Sequence, residues 1–595
     1  MNRNQVENTS TRGNNMPVIP QPTGVYARSR RRLSASSLVT WERCRRDWFL
    51  TRRLGIQSAK HPEMILGIII EEAVTSIWME RPHPTEGMPE GASSWAPGKS
   101  GEQINITDID ELEIWLRTLM SPVVDKILEI LVNEWDDCKW KAEGRSINDI
   151  KREKLNSMVK NAIKLQISET RDCLENNGGP HLEEYRDRGD PFGTPAPFWG
   201  EGKGTGWQTK GEKCTWWEAW EIARPWFKDP RINAAQRLFH PDGWAAGELD
   251  VAHRWRGEIH IVDIKANRGH QRDHTGVAHQ LRFYQWLWNE TRKHPGKPVN
   301  SVDEGVVTEA KSWHLADGFV HKADLIEDIE SETKRLKEIQ EDMSRSSWND
   351  FGLEKESPSI EGLLGCEKCH GPNTCDYPRG GLEQPLHSLI PKEDIDPPES
   401  PFSPISSLPS RVSVRGNLHG HWGPMPNHFG DPVIGAAITA GEKSAVIEEM
   451  GINQFPSLHQ NNGDVVIRNA APGQWRGMIR LYLDKESEIL PAELVDGKLD
   501  RIGLIPTRAN VSGIVISCGK NKGVNAKGRE WSMSTIHLWD GTGIIEVVAF
   551  GIGRTESFDQ LEVGNHVKFM AAEMGWREGT PQLRIDPRNT RMSTE

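Results

Sequence analysis

No run of this sequence approaches the roughly 20 consecutive apolar residues that a membrane-spanning helix needs. The longest, at positions 64–70, is already interrupted by Gly67. The amino-terminal stretch is polar, without the apolar centre of a secretory signal, so a cytoplasmic, intracellular protein is expected. Cysteine is scarce: eight in 595 residues are too few for a disulfide scaffold. No phosphate-binding loop of the form G-x4-G-K-S/T occurs, so an ATP-driven motor is not expected in this chain, and a helicase would be a separate partner. Positive charge is not in surplus either, with 73 Lys and Arg against 85 Asp and Glu and a net charge of −12. That balance argues mildly against nucleic acid as a partner, but binding follows local patches rather than net charge.

The composition, 36% hydrophobic and 27% charged, suits a globular protein. The length implies about three or four domains. Basic residues gather locally: arginines 28, 30, 31, 32, 43, 45, 46, 52 and 53 stand against only Glu42 and Asp47. Residues 1–27 are polar and Pro-rich and read as a disordered tail. A helix capped by Ser34 or Ser36 carries Leu38, Trp41 and Phe49, and a second one covers 65–78. Helical spacing continues through 108–175, and residues 176–230 read as loop. A strand pair at 247–251 and 259–264, a helix through Gln280 and Tyr284 and a charged helix over 322–343 follow. Residues 380–409 form a proline-rich linker, and beyond them the signals are β.

The most informative run is Gly247-Glu248-Leu249-Asp250 followed by Ile261-Val262-Asp263-Ile264-Lys265, with a turn signal at Arg256 and Gly257 between them. Pairing as a hairpin would set Asp250 beside Asp263. Two carboxylates so close repel unless a cation lies between them, and Mg²⁺ or Mn²⁺ suits that role in phosphate chemistry. Lys265, two residues after Asp263, falls on the same side of its strand. Asp263-Ile264-Lys265 resembles the D-x-K element of the PD-(D/E)XK nuclease superfamily, and Gln280-x3-Tyr284 resembles the Q-x3-Y helix of its RecB-like branch. The resemblance implies that Gln280 and Tyr284 serve the substrate backbone or nearby water. Gly67-x3-Glu71 departs from the branch, which has histidine where Glu71 stands; Glu71 is the third expected ligand and Glu72 its competitor.

Cys366-x2-Cys369-x5-Cys375 is too tight a cluster for a reduced protein without metal. Cys44 is the candidate fourth ligand, and zinc completed by His370 or Cys44 is the alternative. A lone cysteine followed far downstream by this triplet is similar to the iron–sulfur nucleases, including the CRISPR-associated RecB-like and AddB-like proteins. That likeness implies a 4Fe–4S cluster tying together the ends of a nuclease domain at 28–379, with a helical insertion at 80–240. Cys138, Cys173, Cys214 and Cys518 have no partner spacing and read as plain thiols.

The C-terminal part repeats itself. The run from Gly463 through Ala470-Ala471 to Trp475-Arg476 recurs from Gly564 through Ala571-Ala572 to Trp576-Arg577, offset by 101 positions. Each copy reads as strand, hairpin, short helix and hairpin, the order of an OB-fold, giving barrels at 410–495 and 503–590. The second resembles the OB-folds of replication protein A. Trp475, Arg476, Trp576 and Arg577, with Phe550, are the expected contacts to single-stranded DNA.

The fold expected is therefore multidomain: an α/β restriction-endonuclease-like core with a helical insertion and an iron–sulfur staple, then two all-β OB-fold barrels. The expected function is a Mg²⁺- or Mn²⁺-dependent deoxyribonuclease, an exonuclease acting on single strands or flaps in DNA repair and associated with the nucleoid. The rival is a non-catalytic single-strand-binding protein with a decayed nuclease site and a structural metal cluster.

Overall fold

A computed structural model describes residues 32–345 and 400–594. Left out within these are 57–59, 85–93, 99–100, 139–140, 142–143, 181, 184–212, 225–236, 256–257, 271–273, 293–305, 427–431, 451–455, 476, 485–486, 496–498, 525–529, 552–554 and 578–579. The described chain falls into two compact units. One draws on Arg32–Val39 and Ala59–Leu336, the other on Thr40–Ser58 and Lys337–Glu595. Among the described residues, no helix is long and apolar enough to cross a membrane.

The first unit is built on four strands, β6 (Val251–Trp255), β7 (Glu258–Lys265), β8 (Val306–His314) and β9 (Phe319–Lys322). β6 and β7 form the antiparallel hairpin, β7 and β8 run parallel, and β9 returns antiparallel to β8. A parallel neighbour requires a crossover, and helix α8 (Thr275–Arg292) lies between β7 and β8 in the chain. Ile259, Ile261, Val262 and Asp263 of β7 are all fully buried, as a strand covered on both faces must be. Asp263 meets α8 through Gln280, while His260, which faces the other side, meets helix α6 (Arg152–Asn176) through Glu169.

The sequence places the 247–251 segment in this hairpin, but residues Ala246–Glu248 form β5, which pairs with β4 (Arg237–Phe239). The expected charged helix begins at Ile329 rather than Lys322, because 319–322 is strand β9. Residues 176–230 are not all loop: Trp216–Ile222 forms helix α7, opened by a capping box between Thr215 and Glu218. Its three tryptophans, 216, 217 and 220, are buried as core.

Helix α3 (Pro62–Trp78) starts with proline, whose missing N–H costs nothing in a first turn. Its residues Ile65, Leu66, Ile69, Ile70, Val74, Ile77 and Trp78 join a core shared with α4 (Ile109–Thr118), α5 (Met120–Asp136), α6 and the strand residues Val251, Val262 and Trp313. On the α6 side a buried ionic cluster ties the helices to the sheet. Glu169 accepts from His260 Nδ1 at 2.6 Å, from Trp255 Nε1 at 3.0 Å and from Lys311 Nζ at 2.7 Å.

The second unit contains two six-stranded sheets of one design. The first joins β10 (Val412–Pro426), β11 (Pro432–Ala440), β12 (Lys443–Met450), β13 (Gly463–Trp475), β14 (Met478–Leu483) and β15 (Glu488–Pro491) in the order 10-11-12-14-13-15. Pairing of β10 with β13 closes it, and β12 runs parallel to β14. The second joins β16 (Arg508–Val524), β17 (Glu530–Trp539), β18 (Ile544–Phe550), β19 (His566–Arg577), β20 (Thr580–Arg584) and β21 (Arg591–Thr594) in the matching order, closed by β16 with β19. Short helices α10 (Pro456–Gln460) and α11 (Glu556–Asp559) precede the fourth strand of each. Five strands ordered 1-2-3-5-4 with strand 1 closing on 4 are the topology of the OB-fold.

Pairing corrects the alignment of the two copies. Val414 faces Ile467 in the first barrel and Val511 faces Phe569 in the second, so Ile467 corresponds to Phe569, an offset of 102 rather than 101. Three further features agree: Val465 and Val567 are both core, and Asn469 (φ 53°) and Ala571 (φ 56°) share the left-handed backbone at the bulge. Arg411 bonds Asp484 at 2.9 and 2.8 Å and the Asn469 carbonyl at 2.9 Å; Arg508 bonds Asp586 at 2.7 Å and the Ala571 carbonyl at 2.7 Å. The second copy holds one extra residue near Asn565, which sequence identity on either side conceals. In a strand a slip of one exchanges the two faces. Trp475 therefore corresponds to Arg577, and Trp576 to Gln474.

Candidate functional site

The carboxylates singled out from sequence come together at the start of β6 and the end of β7. Asp263 is fully buried in the central strand. Asp250 Oδ2 accepts the backbone N–H of Ile264 at 2.8 Å, which anchors its side chain next to β7. Lys265 Nζ pairs with Asp263 Oδ2 at 2.6 Å. From α8, Gln280 Nε2 donates to Asp263 Oδ1 at 2.8 Å and to the Tyr284 hydroxyl at 3.1 Å, while its Oε1 accepts from Lys265 at 3.1 Å. One turn of helix separates residues i and i+4, so Gln280 and Tyr284 stand on the same face.

The electrostatics follow from this crowding. Burial, then Asp263, then Glu71 push the Asp250 carboxyl well above the usual carboxylate range. Burial raises Asp263 too, against the opposing pull of Lys265 and a hydrogen bond with Asp250. Burial works against the Lys265 ammonium, but Asp263, Asp250 and Glu71 hold its pKa above the ordinary lysine value. Tyr284 is raised by burial first and by the two aspartates next, so its hydroxyl keeps its proton. Glu71 acts on Asp250, Lys265 and Tyr284 alike, whereas Glu72 is exposed on α3. The structure thus gathers Glu71, Asp250, Asp263, Lys265, Gln280 and Tyr284.

Among the described residues, no three His, Cys, Asp or Glu side chains already stand in a metal-binding arrangement. The donor set nevertheless fits a hard divalent cation: buried Asp263 and half-buried Asp250 stand close together, Glu71 bears on Asp250, and Lys265 is the cation opposed to them.

In the barrels the expected stacking residues part company. The side chain of Trp475 and all of Arg476 lie outside the described residues. Trp576 stacks on Tyr482 of the first barrel at 6.4 Å between ring centres, with the Arg411 guanidinium 5.5 Å from its own ring. Arg577 is paired with Glu546 at 2.5 Å. Both residues therefore have protein partners, and Trp576 spans the seam between the barrels. Phe550 is exposed at 50%.

Trp531, which sequence reasoning missed, joins it. Trp531 is exposed at 42% and sits opposite Gly523, on which no side chain could fit beneath the indole. Met533 pairs with Phe550, so Trp531, Met533 and Phe550 share the outer face of β17 and β18. His537, further along that face, bonds the Leu54 carbonyl at 2.8 Å and is covered. The readable signal was an aromatic residue across a lysine- and glycine-rich turn, with Lys520 and Lys522 on the partner strand.

Of the cysteines, Cys44 lies between α1 (Ala35–Arg43) and α2 (Arg45–Trp48), where its Sγ accepts the Asp47 N–H at 3.4 Å. Cys366, Cys369 and Cys375, with His370, lie outside the described residues. Cys173 and Cys214 prove to be neighbours in one small apolar core, where burial pushes the Cys173 thiol well above its ordinary pKa.

No family model matches this chain, and neither does any curated protein. Among solved structures it is similar to a replication protein A heterotrimer bound to single-stranded DNA, at 15% identity and a TM-score of 0.13, over 33% of this chain and 51% of that one. It thus spans about half the length of that protein's matched chain. A replication factor A related protein from Methanobacterium thermoautotrophicum is 19% identical over 16% of this chain and 91% of its own, with a TM-score of 0.14. An OB domain from Thermoplasma acidophilum is 19% identical over 15% and 76%, with a TM-score of 0.13. The barrel assignment rests on strand order and not on these likenesses.

Proposed function

We propose that this chain is a divalent-metal-dependent nuclease that cleaves single-stranded DNA or flaps, with the barrels holding the strand. The observation that carries the reading is fully buried Asp263, clasped to Lys265 by Gln280, with half-buried Asp250 beside it. Burial pushes both carboxyls upward, and Asp263 raises Asp250 further, so the pair is costly to ionise, a mark of functional sites. The αβ connectivity around them, a D-x-K strand followed by a Q-x3-Y helix, supports a RecB-like PD-(D/E)XK core.

Asp250, Asp263 and Glu71 would hold Mg²⁺ or Mn²⁺, which supplies Lewis acidity towards water and the phosphate. Lys265 would place its ammonium against the charge developing on the phosphate oxygens. Gln280 fixes both Lys265 and Asp263, so the two act from one geometry. Tyr284, kept protonated and accepting from Gln280, has its O–H free to donate towards the substrate. Cys44 with Cys366, Cys369 and Cys375 would carry a 4Fe–4S cluster as a staple. For the strand, Trp531 and Phe550 offer open aromatic faces, each stack being worth roughly 1–3 kcal/mol. A tethered strand reaches the cleavage site at raised effective concentration.

The rival, a binding protein with a decayed site, shares every barrel feature and differs at the carboxylates. Calorimetric titration of Mn²⁺ into the full chain separates them. A site in the wild type that is lost in Asp250→Asn is expected; identical titrations of both proteins would favour the binding protein.

A further inference from the structure

The face of α3 that carries Glu71 also carries two large apolar side chains that stand exposed. Met64 is 51% exposed and Ile68 75%, although every other leucine and isoleucine of this helix is buried. At 3.6 residues per turn, Met64 lies within about 20° of Glu71 around the helix and Ile68 within about 60°. Along the axis they stand roughly 10 and 5 Å before it. Gly67, between them, has no heavy atom within 4 Å of where a Cβ would stand, so the ledge is open. Its inner end adjoins the catalytic cluster: Ile70 and Val74, on either side of Glu71 in the sequence, pack in one core with Val251 and Val262, the chain neighbours of Asp250 and Asp263.

We propose that Met64 and Ile68 form a ledge against which unpaired bases beside the scissile phosphate lie flat, so that this helix selects single strands. The inference rests on the nuclease reading and names how that site chooses its substrate. Apolar side chains gain nothing from phosphates and have no donors for base edges. They do gain from the faces of bases, whichever base it is. In a duplex those faces are stacked on one another and only edges and phosphates are presented. Thioether and branched aliphatic groups next to a carboxylate cluster therefore suit a strand whose bases are free. The exposed ledge spans about one to two nucleotides of an extended strand.

The test uses the full-length protein, with any cluster intact, and an oligothymidylate carrying 5-iodouracil. Irradiation of the complex with the Asp263→Asn protein should cross-link the strand to the peptide containing Met64 and Ile68. In steady-state cleavage, Met64→Ser with Ile68→Ser should raise KM for single strands about tenfold, the equivalent of ~1.4 kcal/mol. The kcat at saturation should hold, and the preference over duplex should shrink. Cross-links found only in the barrels, or a KM unchanged in the double variant, would overturn the ledge. If the wild type binds strands but cuts none, the nuclease reading fails while the cross-link still decides the ledge.

Discussion

Gln280 holds Asp263 by one end of its amide and Lys265 by the other, at 2.8 and 3.1 Å. One neutral side chain thus sets the separation of the acidic and basic members of the cluster. Gln280→Ala should leave the fold intact and lower kcat on single-stranded DNA by about 10²-fold, the order expected when positioning is lost. Gln280→Glu should do worse, because its carboxylate would face Asp263. Circular dichroism alongside single-turnover cleavage checks both.

The raised carboxyls of Asp250 and Asp263 imply a stability cost at neutral pH. A carboxyl whose folded pKa lies above its unfolded value binds protons more tightly in the folded chain, so its ionisation destabilises the fold; the cost shrinks as pH falls through the raised pKa and is gone below the unfolded one. Without metal, Asp250→Asn should therefore melt a few degrees above the wild type at pH 8 and converge with it under acid conditions. Mn²⁺ should stabilise the wild type and not the variant. Melting curves across pH, with and without Mn²⁺, check this.

Glu169 behaves in the opposite sense. Burial alone would raise its carboxyl, but His253, His260 and Lys311 hold it well below the usual range. Its stabilising contribution is present above about pH 4 and fades as acid protonates it. Glu169→Ala leaves Lys311 with Glu309 alone and His260 and Trp255 without their shared acceptor, and should cost up to about 3–5 kcal/mol in chemical denaturation of the first unit.

In the barrels, Trp531→Ala and Phe550→Ala should each weaken oligothymidylate binding by roughly 1–3 kcal/mol with the salt dependence nearly unchanged, since stacking releases no counterions. Trp576→Ala should weaken it less. Removing the Tyr482 stack should instead loosen one barrel from the other, seen as separated unfolding transitions. Fluorescence anisotropy and calorimetry distinguish the two effects.

The cluster was legible because strands and helices impose strict spacing. Asp263 and Lys265 share a side by alternation, and Gln280 and Tyr284 share a helix face. The choice of Glu71 over Glu72 was not legible, since the two lie about 100° apart on the helix and only packing of the apolar stripe of α3 decides which turns inward. β8 escaped notice because a parallel strand pairs across a long crossover that leaves no local mark, and β9, its short antiparallel return, went unread with it. The doubling of the barrel was plain in the sequence. Its alignment was not, because Gly463 and Gly564, Ala470 and Ala571 invite an offset that the core residues Ile467 and Phe569 refute. The two tryptophans then cease to be equivalent. Trp531 was hidden for a related reason: its exposure depends on the glycine opposite, which only strand pairing reveals.

The central claim is that the Asp250–Asp263 pair drives phosphodiester cleavage. It is tested most directly by incubating end-labelled linear single-stranded DNA with the full-length protein and Mn²⁺ under anaerobic conditions, beside the Asp263→Ala variant. Cleavage by the wild type that disappears in the variant, while both bind the strand equally, is the expected result. Equal binding with no cleavage by either protein would contradict it and leave a chain that only holds DNA.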